Sequence, residues 1–247
     1  MKHEERLRLL YWLRFWGRIT ILILVILLYL FRPQDFRVLT RFSFFKRFSP
    51  LHLLWGIWMV DMLLQLVPSH GLVSLGSQKP FQVHMLPSGR PVPRQAIRNA
   101  NRRALTVGVL WILLTAAIGV LYGVGLFSTA HLLIITTLFY VFDLVCVLIW
   151  CPFQALFLKN RCCTTCRIFN WDHLMMFSPL LFIPGFYTWT LAGMAILVFL
   201  VWEIQFARHP ERFFPQSNAA LRCDHCTDRL RGGRCAGASI SQHKIDK

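Results

Sequence analysis

The apolar stretch from Leu174 to Phe206, LMMFSPLLFIPGFYTWTLAGMAILVFLVWEIQF, runs for 33 positions, and its reading decides the fold. Wholly helical, it would extend about 50 Å, against roughly 30 Å for a bilayer core. Pro179, Pro184 and Gly185 interrupt it. It is therefore either one long kinked helix, or a short re-entrant or hairpin element over 174–184 followed by a full span over 186–206. In the second case the stretch begins and ends on the same face of the membrane.

Positive charge separates the two. With the N-terminus placed in the cytoplasm, Lys and Arg number five in 1–18, six in 68–104 and three in 158–173 on that side, against five in 32–50 on the other. The segment after Ala207 carries eight more. A tail on the far side gives 14 against 13, which is no bias; a tail on the near side gives 22 against five. The positive-inside rule selects the hairpin and predicts a basic cytoplasmic tail over 207–247.

Outward from this stretch the chain reads as an all-α, polytopic transmembrane bundle. Of its 247 residues 55% are hydrophobic and 15% charged, where a soluble domain averages about a quarter charged. Spans are predicted over 15–31, 51–67, 105–127, 132–157 and 186–206, about five in all, with the short element over 174–184. No small-residue cleavage site follows Phe31, so the first span reads as an uncleaved anchor, with Arg18 snorkelling to the interface. The expected location is a cell inner membrane, with the N-terminus, the 158–173 loop and the tail cytoplasmic. The net charge of +16 sits beside the apolar runs and no nucleic-acid motif accompanies it, so the partners are the lipid bilayer and other membrane proteins, not nucleic acid. Arg94, Arg98 and Arg102 recur every four residues on one helical face, an expected contact for lipid headgroups or an ordinary positive-inside segment.

Eight cysteines carry the candidate chemistry. Cys162, Cys163 and Cys166 crowd a short basic loop, Cys223, Cys226 and Cys235 follow the last apolar run, and Cys146 and Cys151 lie within one. Cys163-x2-Cys166 and Cys223-x2-Cys226 have the knuckle spacing with which paired thiolates grip a tetrahedral metal, and together they would form a closed structural zinc site. Cys162, Cys235, His225 and His173 are reserve ligands. An iron–sulfur cluster and redox-active thiols are the alternatives. Cys151-Pro152-Phe153 resembles the Cys-Pro signature of bacterial-type ferredoxin motifs. A small helix bundle with paired cysteines is similar to the quinone-linked, disulfide-generating membrane proteins, which place their cysteines on the oxidising side. The whole arrangement, with its Cys-Cys-Thr-Thr-Cys-Arg-Ile-Phe-Asn-Trp-Asp loop and Cys-x2-Cys tail, resembles an uncharacterised family of bacterial polytopic membrane proteins, and that resemblance implies no activity.

Asp61 and Asp143 fall inside predicted spans with no basic partner expected there, which makes them intramembrane polar candidates. Glu203 is expected at the interface, paired with Arg208. Three functions follow: a zinc-stapled scaffold or accessory factor; a membrane thiol–disulfide or iron–sulfur oxidoreductase coupled to quinone; and a small transporter using Asp61 and Asp143. The first is non-enzymatic, and catalytic residues are not assigned by the sequence.

Overall fold

The computed structural model describes residues 3–42, 48–69, 73–160 and 163–222. They form an all-helical bundle: α1 (His3–Phe31), α2 (Pro50–Leu66), α3 (Leu75–Gln78), α4 (Arg94–Gly123), α5 (Thr129–Leu148), α6 (Asp172–Phe177) and α7 (Phe186–Arg208). Four helices are long and apolar enough to cross a membrane: Arg8–Phe31 within α1, α4, α5 and α7; α2 is a shorter apolar helix.

Local chemistry sets the boundaries. α2 and α5 begin with the same device: Ser49 and Ser128 accept backbone N–H groups of the first turn, and the rings of His52 and His131 reach back to the cap residues. Two otherwise orphaned amides are thereby satisfied at each start, which matters where water is scarce. α1 extends well before the expected start at residue 15, because Tyr11 and Phe15 continue its apolar face against Val141, Leu144, Val147 and Leu148 of α5. α5 stops at Leu148, short of the expected 157. Pro152 disfavours helical backbone at Cys151, so the chain turns and resumes as a single wide π-type turn over Phe153–Leu158. Lys159 closes that turn at φ 50°.

The interrupted stretch folds as a hairpin. α6 passes into a 3₁₀ turn over Ser178–Phe182, running along α4, where Trp111 Nε1 donates to Ser178 Oγ at 3.0 Å. Pro184 and Gly185 reverse the chain, and α7 returns beside it. At the closed end Gly185 packs against the Leu39 backbone, and Phe186 N donates to Arg41 O at 3.2 Å. At the open end Trp171 Nε1 donates to Glu203 Oε1 at 2.7 Å. The loop before α6 and the segment after α7 therefore share one end of the bundle. There Ala219 N donates to Leu86 O at 2.7 Å, Ser88 N to Ser217 O at 2.9 Å, and Arg212 Nη1 to Pro80 O at 2.7 Å.

The core centres on Trp58 of α2, fully buried among Tyr140, Phe177 and Leu180 and edge-on to the rings of Tyr140 and Phe177. Gly185 is the narrowest contact, since a Cβ there would collide with the Leu39 carbonyl, a backbone atom that no rotamer change can move. Gly185→Ala is expected to cost about 1–3 kcal/mol, the usual range for overpacking. Thermal unfolding in detergent checks this, with Gly193→Ala as the control, because nothing lies within 4 Å of a Cβ at Gly193.

Candidate functional site

Five ionisable side chains from four segments meet between α1, α2, α5 and α6. Arg18 of α1 is buried, its guanidinium 2.6 Å from Asp143 Oδ2 and 3.3 Å from Asp61 Oδ2. It also donates to the Tyr140 carbonyl at 2.7 Å and lies 3.8 Å over the Tyr140 ring. His173, second residue of α6, is almost fully buried, with Nδ1 3.0 Å from Asp172 Oδ1 and Nε2 3.6 Å from Asp61 Oδ2. Gln65 of α2 reaches both Asp172 and His173. The result is an alternating chain, Asp143–Arg18–Asp61–His173–Asp172. Burial opposes the charge on His173, but Asp172 and Asp61 outweigh it and its pKa is pushed up to about 10, so the ring is cationic at neutral pH.

Two sequence expectations are corrected here. Arg18 does not snorkel outward; it turns in and supplies the basic partner that Asp61 and Asp143 were expected to lack. The signal was present in the run from Ile19 to Phe31, whose 13 residues make about 20 Å of helix, too little to keep Arg18 outside the apolar core. The His173 ring, expected as a reserve metal ligand, has Nδ1 3.0 Å from Asp172 and Nε2 3.6 Å from Asp61.

Glu203 does not pair with Arg208. Arg167 of the cysteine loop grips it with both guanidinium arms, at 2.7 and 2.5 Å, and Trp171 donates to the same carboxylate. Arg167 also stacks 3.7 Å over the Phe206 ring, and its carbonyl accepts from Trp202 Nε1 at 2.8 Å. Lys79, itself buried, donates to Cys166 O at 2.7 Å and sits over the rings of Trp202 and Phe213. The loop is thus anchored to α7 and to the segment that follows it.

A cavity of about 280 Å³ adjoins the charged chain. Its walls are aromatic and aliphatic, with Trp111 of α4, Phe139 and Phe142 of α5, Phe153 and Phe169 among them. Asp143 and Asp172, the two ends of the charged chain, stand in the same wall. So do Cys146, Cys151, Cys163 and Cys166, all four as thiols rather than disulfides. Cys146 lies in the last turn of α5 and Cys151 just beyond its end. Cys163 Sγ donates to the Cys146 carbonyl at 3.6 Å. Burial pushes the Cys166 thiol up to about 11 despite the nearby Lys79 ammonium.

Cys163 and Cys166 thus share one wall with Cys146 and Cys151, which the sequence reading kept apart from them. Cys162, Cys223, Cys226, Cys235 and His225 lie outside the described residues. No residue of 209–222 reaches the cavity wall. Among the described residues, no group of three or more His, Cys, Asp or Glu side chains is arranged to hold a metal ion. Arg94, Arg98 and Arg102 are exposed along the start of α4, as is Arg103, which donates to Leu158 O at 2.9 Å.

Fold and site together define an α-helical protein of membrane-spanning character, with a buried charged chain bordering a thiol-lined cavity. No protein-family model matches the chain, and neither a curated protein nor a solved structure matches it.

Proposed function

We propose that this protein is a membrane thiol oxidoreductase whose working pair is Cys146 and Cys151 and whose cavity admits a lipid-soluble quinone. The carrying observation is the convergence of four thiols on one apolar cavity. In the reaction two S–H bonds break and one S–S bond forms. Two electrons and two protons pass to the quinone, whose two carbonyl oxygens become the hydroxyls of the quinol. A flat ring suits aromatic walls, and Cys163 and Cys166 in the same wall could receive the disulfide by thiol exchange. The balance of 22 basic residues against five supports an orientation with the thiol end facing the cytoplasm of a cell inner membrane.

The competing reading is a scaffold or accessory protein in which zinc, held by Cys163, Cys166, Cys223 and Cys226, staples loop to tail. The packing of Phe213 and Lys79 beside the cysteine loop supports it. Both are tested on detergent-purified, reduced protein by counting thiols before and after a short-chain ubiquinone analogue, alongside elemental analysis. The expected result is two thiols lost per quinone reduced, abolished in Cys146→Ser and in Cys151→Ser, without stoichiometric metal. Thiols inert to quinone, with one zinc per chain that disappears in Cys223→Ser/Cys226→Ser, would overturn the redox reading and establish the staple. Stoichiometric iron with sulfide would overturn both.

A further inference from the structure

We propose that the exposed face of α4 binds an anionic phospholipid, its phosphate held by Arg94, Arg98 and Arg102 and its acyl chains lying along the apolar stripe that continues the same face. This site is separate from the thiol cavity and stands whether or not that cavity carries redox chemistry.

The register of the helix carries the argument. At about 100° per residue, Arg94, Arg98 and Arg102 occupy a sector of about 80° on one side of α4. The same arithmetic places Leu105, Val109, Ile112, Ala116 and Val120 in that sector. All five are exposed, Leu105, Ile112 and Val120 to 66%, 68% and 64%, so the described bundle leaves this face open. The buried residues of α4, Ala104, Val107 and Ile118, face the other way. On that side the helix leans on the cysteine loop: Ala104 and Val107 pack with Leu158 and Ile168, and Arg103 donates to Leu158 O. One side of α4 holds the protein, and the other presents three cations followed by hydrocarbon.

Length sets the depth. α4 has 30 residues, about 45 Å, against a hydrocarbon core of about 30 Å. With its apolar end filling the core, roughly the first ten residues stand in and just beyond the headgroup layer. The arginines therefore lie at the level of lipid phosphates, and the stripe lies at the level of the chains.

Charge decides the ligand. α4 contains no Asp or Glu, and among the described residues no ion pair ties any of the three arginines to a carboxylate. Arg98 donates to an uncharged partner, Gln95 Oε1, at 2.9 Å. Guanidiniums repeated at steps of about 6 Å along a helix repel one another until an anion enters between them. A phosphate does so with paired hydrogen bonds to each fork. A zwitterionic headgroup brings its own cation and gains less.

The test is lipid binding by the full-length protein in a nonionic detergent, titrated with phosphatidylglycerol or phosphatidylcholine and read by native mass spectrometry. Wild type is expected to prefer phosphatidylglycerol by about tenfold or more, with each arginine contributing about fivefold. Arg94→Gln/Arg98→Gln/Arg102→Gln is then expected to lose on the order of 10²-fold in phosphatidylglycerol affinity. Arg32→Gln/Arg37→Gln/Arg41→Gln removes the same charge around the 3₁₀ segment Pro33–Thr40 and is expected to stay within about twofold of wild type. Equal losses in the two triple variants, or no preference between the two lipids, would reduce the face to general electrostatic attraction and overturn the proposal. Inorganic phosphate binding as tightly as the lipid would assign the arginines to a soluble anion and overturn it as well. Glutamine keeps the helix propensity of these exposed positions, so the fold is expected to persist, which thermal unfolding checks. If the triple variant fails to fold, Arg98→Gln alone decides: affinity about fivefold weaker supports the site, and wild-type affinity overturns it.

Discussion

Arg18→Leu is expected to be the most damaging single substitution in the chain, lowering stability by about 3–5 kcal/mol, the range measured when one partner of a buried ion pair is removed. Leucine fills part of the space but supplies no charge. Asp61 and Asp143, 3.3 and 2.6 Å from the guanidinium, would then keep His173 as their nearest cation, and only Asp61 lies close to it. The Tyr140 carbonyl would also lose its donor. In detergent the change should appear as a large drop in melting midpoint and in the yield of monodisperse protein. Arg18→Leu/Asp143→Asn is expected to recover part of the loss, since it removes one of the stranded charges. Arg18→Lys should fall in between, because an ammonium keeps the charge but lacks the fork that meets both carboxylates and the carbonyl together. A melting midpoint for Arg18→Leu equal to wild type would mean that Asp61 and Asp143 do not depend on its charge.

The second large effect is expected at Glu203. Its carboxylate holds both arms of Arg167 and the indole N–H of Trp171, which fastens the foot of the α6–α7 hairpin. Glu203→Ala leaves Arg167 without its counter-charge while its guanidinium is still confined over Phe206. The expected cost is about 3 kcal/mol, at the lower end of the buried-pair range because the Glu203 side chain retains some exposure. The local consequence is sharper than the global one. Cys166 immediately precedes Arg167, and its thiol is held up to about 11, so it is almost wholly protonated at pH 7.5 and reacts slowly with maleimide. Releasing Arg167 should expose the loop and return the thiol toward its ordinary range. Cys166 alkylation at pH 7.5 is then expected to accelerate by tenfold or more in Glu203→Ala, read by mass spectrometry of the loop peptide. An unchanged rate would show that the anchoring runs instead through Lys79 and Trp202.

The helical membrane character could be read directly from the sequence, because runs such as Leu105–Phe127 and Phe186–Phe206 state their own burial medium. The hairpin at Gly185 was also within reach, through the count of Lys and Arg rather than through any local motif. What the residues could not announce was which apolar runs lie face to face. Arg18, Asp61, Asp143 and Asp172 are far apart along the chain, and each alone reads as an isolated cost. Only the packing of α1 on α5, and of α6 beside α2, joins these isolated costs, with His173, into one chain of alternating charge. The cavity cysteines were out of reach for a related reason. Spacing is a local quantity, so Cys163-x2-Cys166 points to a knuckle and says nothing of Cys146 and Cys151. The bend imposed by Pro152 brings Cys151 back beside Cys146 and carries the chain round to Cys163, a three-dimensional effect of one residue.

The double grip of Arg167 on Glu203 also has a mechanical meaning. The chain after α7 is tied to the 80–88 segment through Ala219, Ser217 and Arg212, so a pull from beyond residue 222 loads those bonds first, then the Arg167–Glu203 bond and the Trp202–Arg167 contact. Tension from a tethered partner would be shared between the two legs of the hairpin at its foot. It would reach the charged cluster and the thiol pocket only after the clasp had opened, so the clasp acts as a strain relief between whatever the tail holds and the chemistry of the interior.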